Sequence, residues 1–396
     1  MIIGFGIFYL ADYDPFPEEA EFELRDPEEL TELSSAMTDF SFDSFSRIAE
    51  EDENLFISPY SIHAALTMAY RGADGETAEE MAAVLGLTEM ELERLMEDSL
   101  GLKQYLEHFS EENEVAIANA FFLREDIPFL DSYKSDGEKY FEAEIGPLPE
   151  TGEPINDWVY ENTREKIEEI IDPGPIDEAV IAYLVNAIYF QGNWAEEFDE
   201  DKTTERVFRG ADGETEVEMM EKKEVYRYEV TENLQSVTLE YEDGDYLFHA
   251  FMPTDDRSLP ELYENFDSED FSDMKPTDEG EIVLRLPKFV LEDDLGLVET
   301  LREMGMEQAF NKRSADFSEM VDLEALGINV FISDVLHASF IEVDEKGTEA
   351  AAATAVEMRL ESLPMTLEFN RPFFFVIEEP ETETVLFMGQ LVNPEN

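Results

Sequence analysis

Apolar residues recur along the chain with two distinct periods, and each period predicts an element type. From Ser61 onward, Ile62, Ala65, Leu66 and Ala69 follow the i, i+3, i+4, i+7 spacing of a helical face. Ser58-Pro59 supplies an N-cap followed by a proline whose missing N–H costs the first turn nothing. Ile155, Trp158, Val159, Ile167, Ile170 and Ile171 form a second helical face, and Leu297, Leu301 and Met304 a third. Residues 181–190 (IAYLVNAIYF) are a nearly unbroken apolar run, which predicts a strand buried on both faces. Residues 330–340, 372–377 and 385–391 read as further strands. Helical patterns gather early and strand patterns late, without strict β-α alternation, so the expected class is α+β. Residues 1–28 are expected to be an acidic N-terminal tail, and 29–396 one folded domain, since no linker, repeat or low-complexity tract divides them.

One segment carries both periods. Residues 347–362 read GTEAAAATAVEMRLES, and the alanine run favours a helix by propensity. Yet Thr348, Ala350, Ala352, Thr354, Val356 and Met358 are all uncharged, while the interleaved Glu349, Ala351, Ala353, Ala355, Glu357 and Arg359 carry every charge up to Leu360. That alternation suits a strand with one buried and one solvated face, and small inward side chains ease entry between existing strands. Both readings, surface helix and central strand, stand on pattern alone.

Charge changes the picture next. Asp and Glu number 98 against 26 Lys and Arg, a formal net charge of -72, and the acid is spread between apolar residues from end to end. A nucleic-acid or anionic-membrane partner is therefore not expected, because phosphate neutralisation needs clustered cations. Such a surface repels itself at low ionic strength, whereas at 1 M salt the screening length falls to about 3 Å. The composition points to a salt-rich medium and a halophilic source; a nucleic-acid mimic is the rival reading. Cysteine is absent, which removes disulfides and thiolate chemistry. The apolar run 1–10 lacks a basic flank and a small-residue cleavage site, so it reads either as a degenerate export signal or as an extra strand or tail.

Catalytic motifs are not found. His63, His108, His249 and His337 fall in no HExxH pattern, and neither a G-x-S-x-G elbow nor a phosphate-binding GxxxxGK[ST] loop occurs. The Asp-Gly pairs lack calcium-loop spacing, so no metal and no cofactor is expected. Paired carboxylates are inevitable at this acid content, and a hydrolase built on them is a third, weaker hypothesis. His337 and Asn186 sit in apolar strands and demand hydrogen-bond partners, and Ser58 and Ser61 stand at a helix start, which suggests one internal polar cluster.

Taken together the motifs resemble the serpins, inhibitors of serine proteases that act by loop insertion. The resemblance spans roughly residues 30–396 through NLFISPYSIHAALTMAYRGADGETAEEM (54–81), IANAFFL (117–123), INDWVYENTREKI (155–167), LVNAIYFQGNWAEEF (184–198), LRLPKF (284–289), FISDVLHASFIEVDEKGTEAAAATA (331–355), NRPFFFVI (370–377) and FMGQLVNP (387–394). It implies about nine helices around three β-sheets, the main one five-stranded, with an exposed reactive-centre loop at about 346–368. It places Ser58, Ser61, Asn186 and His337 beneath the point where the sheet opens, and Trp194, Lys288 and Glu345 at the top, with Lys288 paired to Glu345. Glu345, Gly347, Thr348, Glu349, Ala350, Ala351, Ala352, Ala353 and Thr354 become the hinge, and the uncharged Thr348 favours inhibition.

In the family's common register the scissile bond is Glu361-Ser362, with Leu360-Glu361 and Arg359-Leu360 as alternatives. Glu361 would suit a protease accepting acidic side chains; Leu360 or Met358 would suit a subtilisin-like enzyme. The implied protein is not an enzyme but a monomeric suicide-substrate inhibitor that forms covalent complexes with serine endopeptidases, acting outside the cell, or alternatively in the cytoplasm. A non-inhibitory member serving in binding, storage or chaperoning is the alternative function.

Overall fold

The computed structural model describes residues 24–110, 113–254, 258–263, 268–348 and 365–394. The first helix, Pro27–Ile48, starts where Asp26 accepts a hydrogen bond from the Glu28 N–H, so the last two residues of the expected tail are helical instead. Its Leu30, Leu33, Met37, Phe40 and Phe45 are buried. Helix Pro59–Tyr70 is capped as the sequence suggests, the Ser58 hydroxyl accepting from Ser61 N–H, and it is buried nearly all round. A helix with no wet face must lie inside a fold, and this one packs against strands of both sheets, Ala182–Asn193 and Thr384–Leu391.

The second helical face behaves differently from its pattern. Helix Glu153–Asn162 stops short of Ile167, because Arg164 and Glu165 adopt left-handed φ values of 52° and 64° that no helix interior accommodates. Ile167 and Ile170 are nevertheless buried with Ile155 and Val159. Asn156 arranges this: its carbonyl accepts from the N–H groups of Ile170 and Ile171 (3.0 and 3.1 Å), and its amide donates to Ile171 O (2.8 Å). The periodicity is real as burial, but side-chain capping rather than helix delivers it. The third face forms only the short helix Val298–Glu303, with Leu297 and Leu301 buried.

The main sheet runs in the order Phe289–Gly296, Asp334–Val343, Ala182–Asn193, Glu114–Arg124, Glu144–Leu148, and the two-residue strand Gly347–Thr348 adds to Ala182–Asn193. The expected five strands are thus joined by a sixth, short one. Asp334–Val343 begins four residues later than the apolar run, the preceding stretch being irregular. Among the described residues the other strands form one nine-stranded sheet rather than two small ones. The 18-residue strand Gly213–Val230 causes the merger: Arg227 pairs with Glu279 on one side and Thr238 on the other. Ten α-helical segments occur among the described residues, close to the nine expected. Between the sheets lies an aromatic core in which Phe56 stacks on Phe387 (5.2 Å) and Phe248 on Phe375 (5.1 Å).

Replacing Asn156 by Ala strands three backbone groups of the 170–171 turn. A loss of about 1–3 kcal/mol in chemical denaturation is expected, with Asn156→Asp losing less because it keeps the acceptor.

Candidate functional site: the seam of the main sheet

Three of the four junctions between the five main strands are ordinary ladders, but the one between Asp334–Val343 and Ala182–Asn193 is parallel and incomplete. Asp334–Val343 pairs with Ala182–Asn193 over six positions, from Asp334↔Tyr183 to Ser339↔Ile188, and no further. Both strands continue beyond that rung. In the gap the chain reverses: Asp344 N–H donates to Gly347 O (3.0 Å), while Asp344 Oδ1 accepts from Lys346 N–H (2.9 Å). Gly347 and Thr348 then pair antiparallel with Asn193 and Gly192. Only glycine fits at 347: its φ is +139°, and a Cβ there would meet Gly192 O at 2.2 Å and Asn193 Cα at 2.7 Å.

Side chains alternate across the seam. From Ala182–Asn193, Leu184, Ile188 and Phe190 enter the main core, while Val185 and Ala187 face outward beneath helix Glu153–Asn162. Asn186 points inward, and the structure brings it together with Ser58, Ser61 and His337, all fully buried or nearly so. His337 Nε2 accepts the Ser58 N–H (3.0 Å), which leaves the proton on Nδ1, from which it donates to Asn186 Oδ1 (2.8 Å). Asn186 Nδ2 donates to Ser61 Oγ (2.5 Å) and to Asn119 Oδ1 (2.8 Å). The Ser58 hydroxyl donates to Leu386 O (2.6 Å). Asn119 was missed by sequence reasoning, although it is the lone polar residue of its strand centre and lies directly opposite Asn186 in register. Ser339 and Asp293 were missed too; they occupy one rung and hold the Phe56 carbonyl and N–H respectively (2.7 and 2.6 Å).

At the top, Trp194 stacks on Tyr241 (4.6 Å) and its indole donates to Asp344 O (3.0 Å). Lys288 pairs with Glu345 (3.0 Å), and the Thr203 hydroxyl donates to the same carboxylate (2.6 Å). Burial opposes ionisation of both charged groups. The hydrogen bonds from Thr203 and Lys288 nonetheless hold Glu345 below the usual carboxylate range, and Glu345 holds Lys288 above the usual amine range. Thr203 carries no sequence signal. Glu349, Ala350, Ala351, Ala352, Ala353, Thr354, Arg359, Leu360, Glu361 and Ser362 lie outside the described residues. Beyond them, residues 365–368 of the expected loop form a strand paired parallel with Asp278–Pro287. Among the described residues no group of His, Asp and Glu is arranged to hold a metal ion.

Burial lowers His337 to about 3. Below about pH 6.5 the unfolded chain binds a proton that the folded His337 refuses, so this residue's contribution to stability falls as pH drops from 6.5 toward 3. Nitrogen-15 shifts of the His337 ring are expected to stay neutral, with the proton on Nδ1, from pH 8 to pH 4. A transition near pH 6.5 contradicts the network.

Comparison with known proteins agrees with this architecture. The family model described as "Serpin (serine protease inhibitor)" matches residues 35–394. An uncharacterised serpin-like protein of Methanosarcina acetivorans is 32% identical over 377 residues, covering 92% of this chain and 87% of its own. The leukocyte elastase inhibitor of Xenopus laevis is 35% identical over 388 residues, covering 91% and 99%. Among solved structures, native tengpin, a thermophilic serpin, superposes with TM-score 0.82 at 30% identity, covering 94% of this chain and 96% of that one. Human thyroxine-binding globulin gives 0.84 at 28%, covering 93% and 100%. These relatives include an archaeal methanogen and a vertebrate, and they speak to the family rather than to a saline habitat. With its split parallel pair, buried seam cluster and family-wide match, the chain belongs to the serpin family.

Proposed function

We propose that the protein is an irreversible suicide-substrate inhibitor of serine endopeptidases, working outside the cell in a salt-rich medium. The observation that carries this reading is the pairing of Gly347 and Thr348 with Asn193 and Gly192, at the mouth of the unfinished parallel ladder. Continuing that register in a cleaved molecule brings Ala350 opposite Phe190, Ala352 opposite Ile188 and Thr354 opposite Asn186. Val356 would then face Leu184 and Met358 would face Ala182. Every uncharged member of the alternation thus falls beside an inward-facing residue, where residues directly opposite share a face. Ala351, Ala353 and Ala355 fall beside Tyr189, Ala187 and Val185, and small side chains suit the space beneath helix Glu153–Asn162.

The proposed chemistry takes the family's common register for the scissile bond. A protease docks on the loop as on a substrate, and its serine oxygen attacks the Glu361 carbonyl. The bond to Ser362 breaks, the Ser362 nitrogen leaves with the proton, and an ester joins Glu361 to the enzyme. Until then the loop is tethered at both ends, and the folded inhibitor is kinetically trapped above its inserted state. Cutting frees residues 348–361 to enter the seam. Insertion exchanges solvated backbone groups for ladder hydrogen bonds on two sides and buries the small apolar face, and the ester-linked protease is carried along and distorted. At the rung of the polar cluster the Thr354 hydroxyl can accept from His337 Nδ1 and donate to Asn186 Oδ1, so a single group replaces the direct bond that the widening seam must break.

Two outcomes are expected. Loop cleavage raises the melting temperature by tens of degrees, and a panel of serine proteases in molar salt yields a covalent adduct on denaturing gels. Thr348→Arg is expected to be cleaved at the wild-type rate while forming no adduct, because a charged side chain cannot follow Gly347 into the core. Adduct at the wild-type ratio of inhibitor to enzyme contradicts insertion. Cleavage without a rise in melting temperature favours a non-inhibitory binding role.

A further inference from the structure

After helix Glu153–Asn162 the chain crosses the outer face of the main sheet at the level where its central pair parts. Arg164 donates to Glu114 on one side of the seam, its Nε 3.2 Å from Oε1. Two residues on, the Lys166 ammonium sits 3.9 Å from Glu342 on the other side and 5.2 Å from the centre of the Phe340 ring. Glu114 is paired in register with Gln191 of Ala182–Asn193 and moves with that half of the sheet. Glu342 lies three residues past Ser339, the last residue of the parallel ladder, which puts it level with Gln191 as well. Two neighbouring cations therefore hold carboxylates on opposite banks of the mouth into which Gly347 and Thr348 turn.

The crossing segment is firmly shaped. The Thr163 hydroxyl donates to Val159 O (2.8 Å) and accepts from Ile167 N–H (3.2 Å), and the left-handed residues Arg164 and Glu165 turn the chain between these anchors. Beneath it, Ile155, Val159, Ile167 and Ile170 share one apolar cluster with Val185 and Ala187 from one bank and Leu336 and Ala338 from the other.

We infer that residues 163–167 form an electrostatic strap over the mouth of the main sheet, and that ionic strength regulates strand entry by loosening it. Admitting a strand moves the banks apart by one inter-strand spacing, about 4.8 Å. Two contact ion pairs rooted two residues apart cannot both follow that displacement, so one of them breaks as the seam opens. Both pairs are partly exposed, so salt weakens them. In a chain with 26 cations against 98 carboxylates, two cations spent across one gap make the seam responsive to salt. The inference rests on the insertion reading and names what regulates its rate.

A synthetic peptide with the sequence of residues 348–361, added to the intact full-length protein, tests it. Uptake is followed by tryptophan fluorescence, since the chain's two tryptophans are Trp158 on the covering helix and Trp194 at the mouth. At the lowest salt at which all variants are folded by circular dichroism, Lys166→Gln and Glu342→Gln are each expected to take up peptide about two- to fivefold faster than wild type, the range typical of an exposed pair. The double variant is expected to be no faster than either single one, Lys166→Arg to stay at the wild-type rate, and the ratio of variant to wild type to fall toward one in molar salt. Equal rates for wild type, Lys166→Gln and Glu342→Gln at every salt, or additive effects in the double variant, overturn the strap while leaving insertion standing. Absence of uptake in wild type and all variants removes the insertion reading, and the strap with it.

Discussion

The parallel ladder between Ala182–Asn193 and Asp334–Val343 runs for six rungs and stops at Ile188 and Ser339, although both strands continue. That shortfall organises the rest of the molecule. Parallel pairs are slightly weaker than antiparallel ones, and every other strand junction within reach of the seam is either antiparallel or peripheral. The sheet therefore divides into two halves at this join. One half carries Phe289–Gly296 and the segment at Phe56, clipped on by Asp293 and Ser339; the other carries Glu114–Arg124 and Glu144–Leu148. The polar bond His337–Asn186 crosses the join in the interior, and Arg164 and Lys166 cross it on the outside.

On the proposed insertion mechanism, a buried polar bridge suits a join that opens once. Apolar packing gains free energy in proportion to contact and gives it up gradually as surfaces part. A hydrogen bond between buried groups is directional, and opening it without replacement is costly, so the closed state is well defined until a substitute arrives. Glu345 and Lys288 do the comparable work at the top, where a carboxylate held charged by Thr203 and Lys288 fixes the turn from Asp344 to Gly347. Cations are scarce in this chain, and several sit at such junctions rather than at random on the surface: Lys288 at the turn, Arg285 between Glu221 and Glu368 beside strand Met365–Glu368, and Arg164 and Lys166 over the seam.

Much of the fold is legible in the sequence because burial leaves a period. The apolar run at 181–190 reads directly as a strand covered on both faces, and Ser58-Pro59 as a helix start. Isolated polar residues in such runs, Asn186 and His337, announce a cluster because they cannot be left without partners. Other features leave no such trace. Ile167 and Ile170 keep helical spacing in a segment that is not a helix, since Asn156 and two left-handed residues achieve the same burial by another route. The merging of two sheets depends on one strand being long enough to pair on both sides at Arg227, which no local pattern encodes. Thr203 and the pairing of Arg164 and Lys166 to opposite banks emerge only once distant segments are brought together. Charge count announced an acidic surface but not where its few cations would be placed.

The most direct test is a crystal structure of the protein after its loop has been cut. The account predicts that residues 348–361 stand between Ala182–Asn193 and Asp334–Val343 in the register that begins Gly347↔Asn193, with Thr354 level with Asn186 and the parallel ladder gone. A cut molecule in which Ile188 still faces Ser339 across an unbroken parallel pair, with the severed segment outside the sheet, would contradict it.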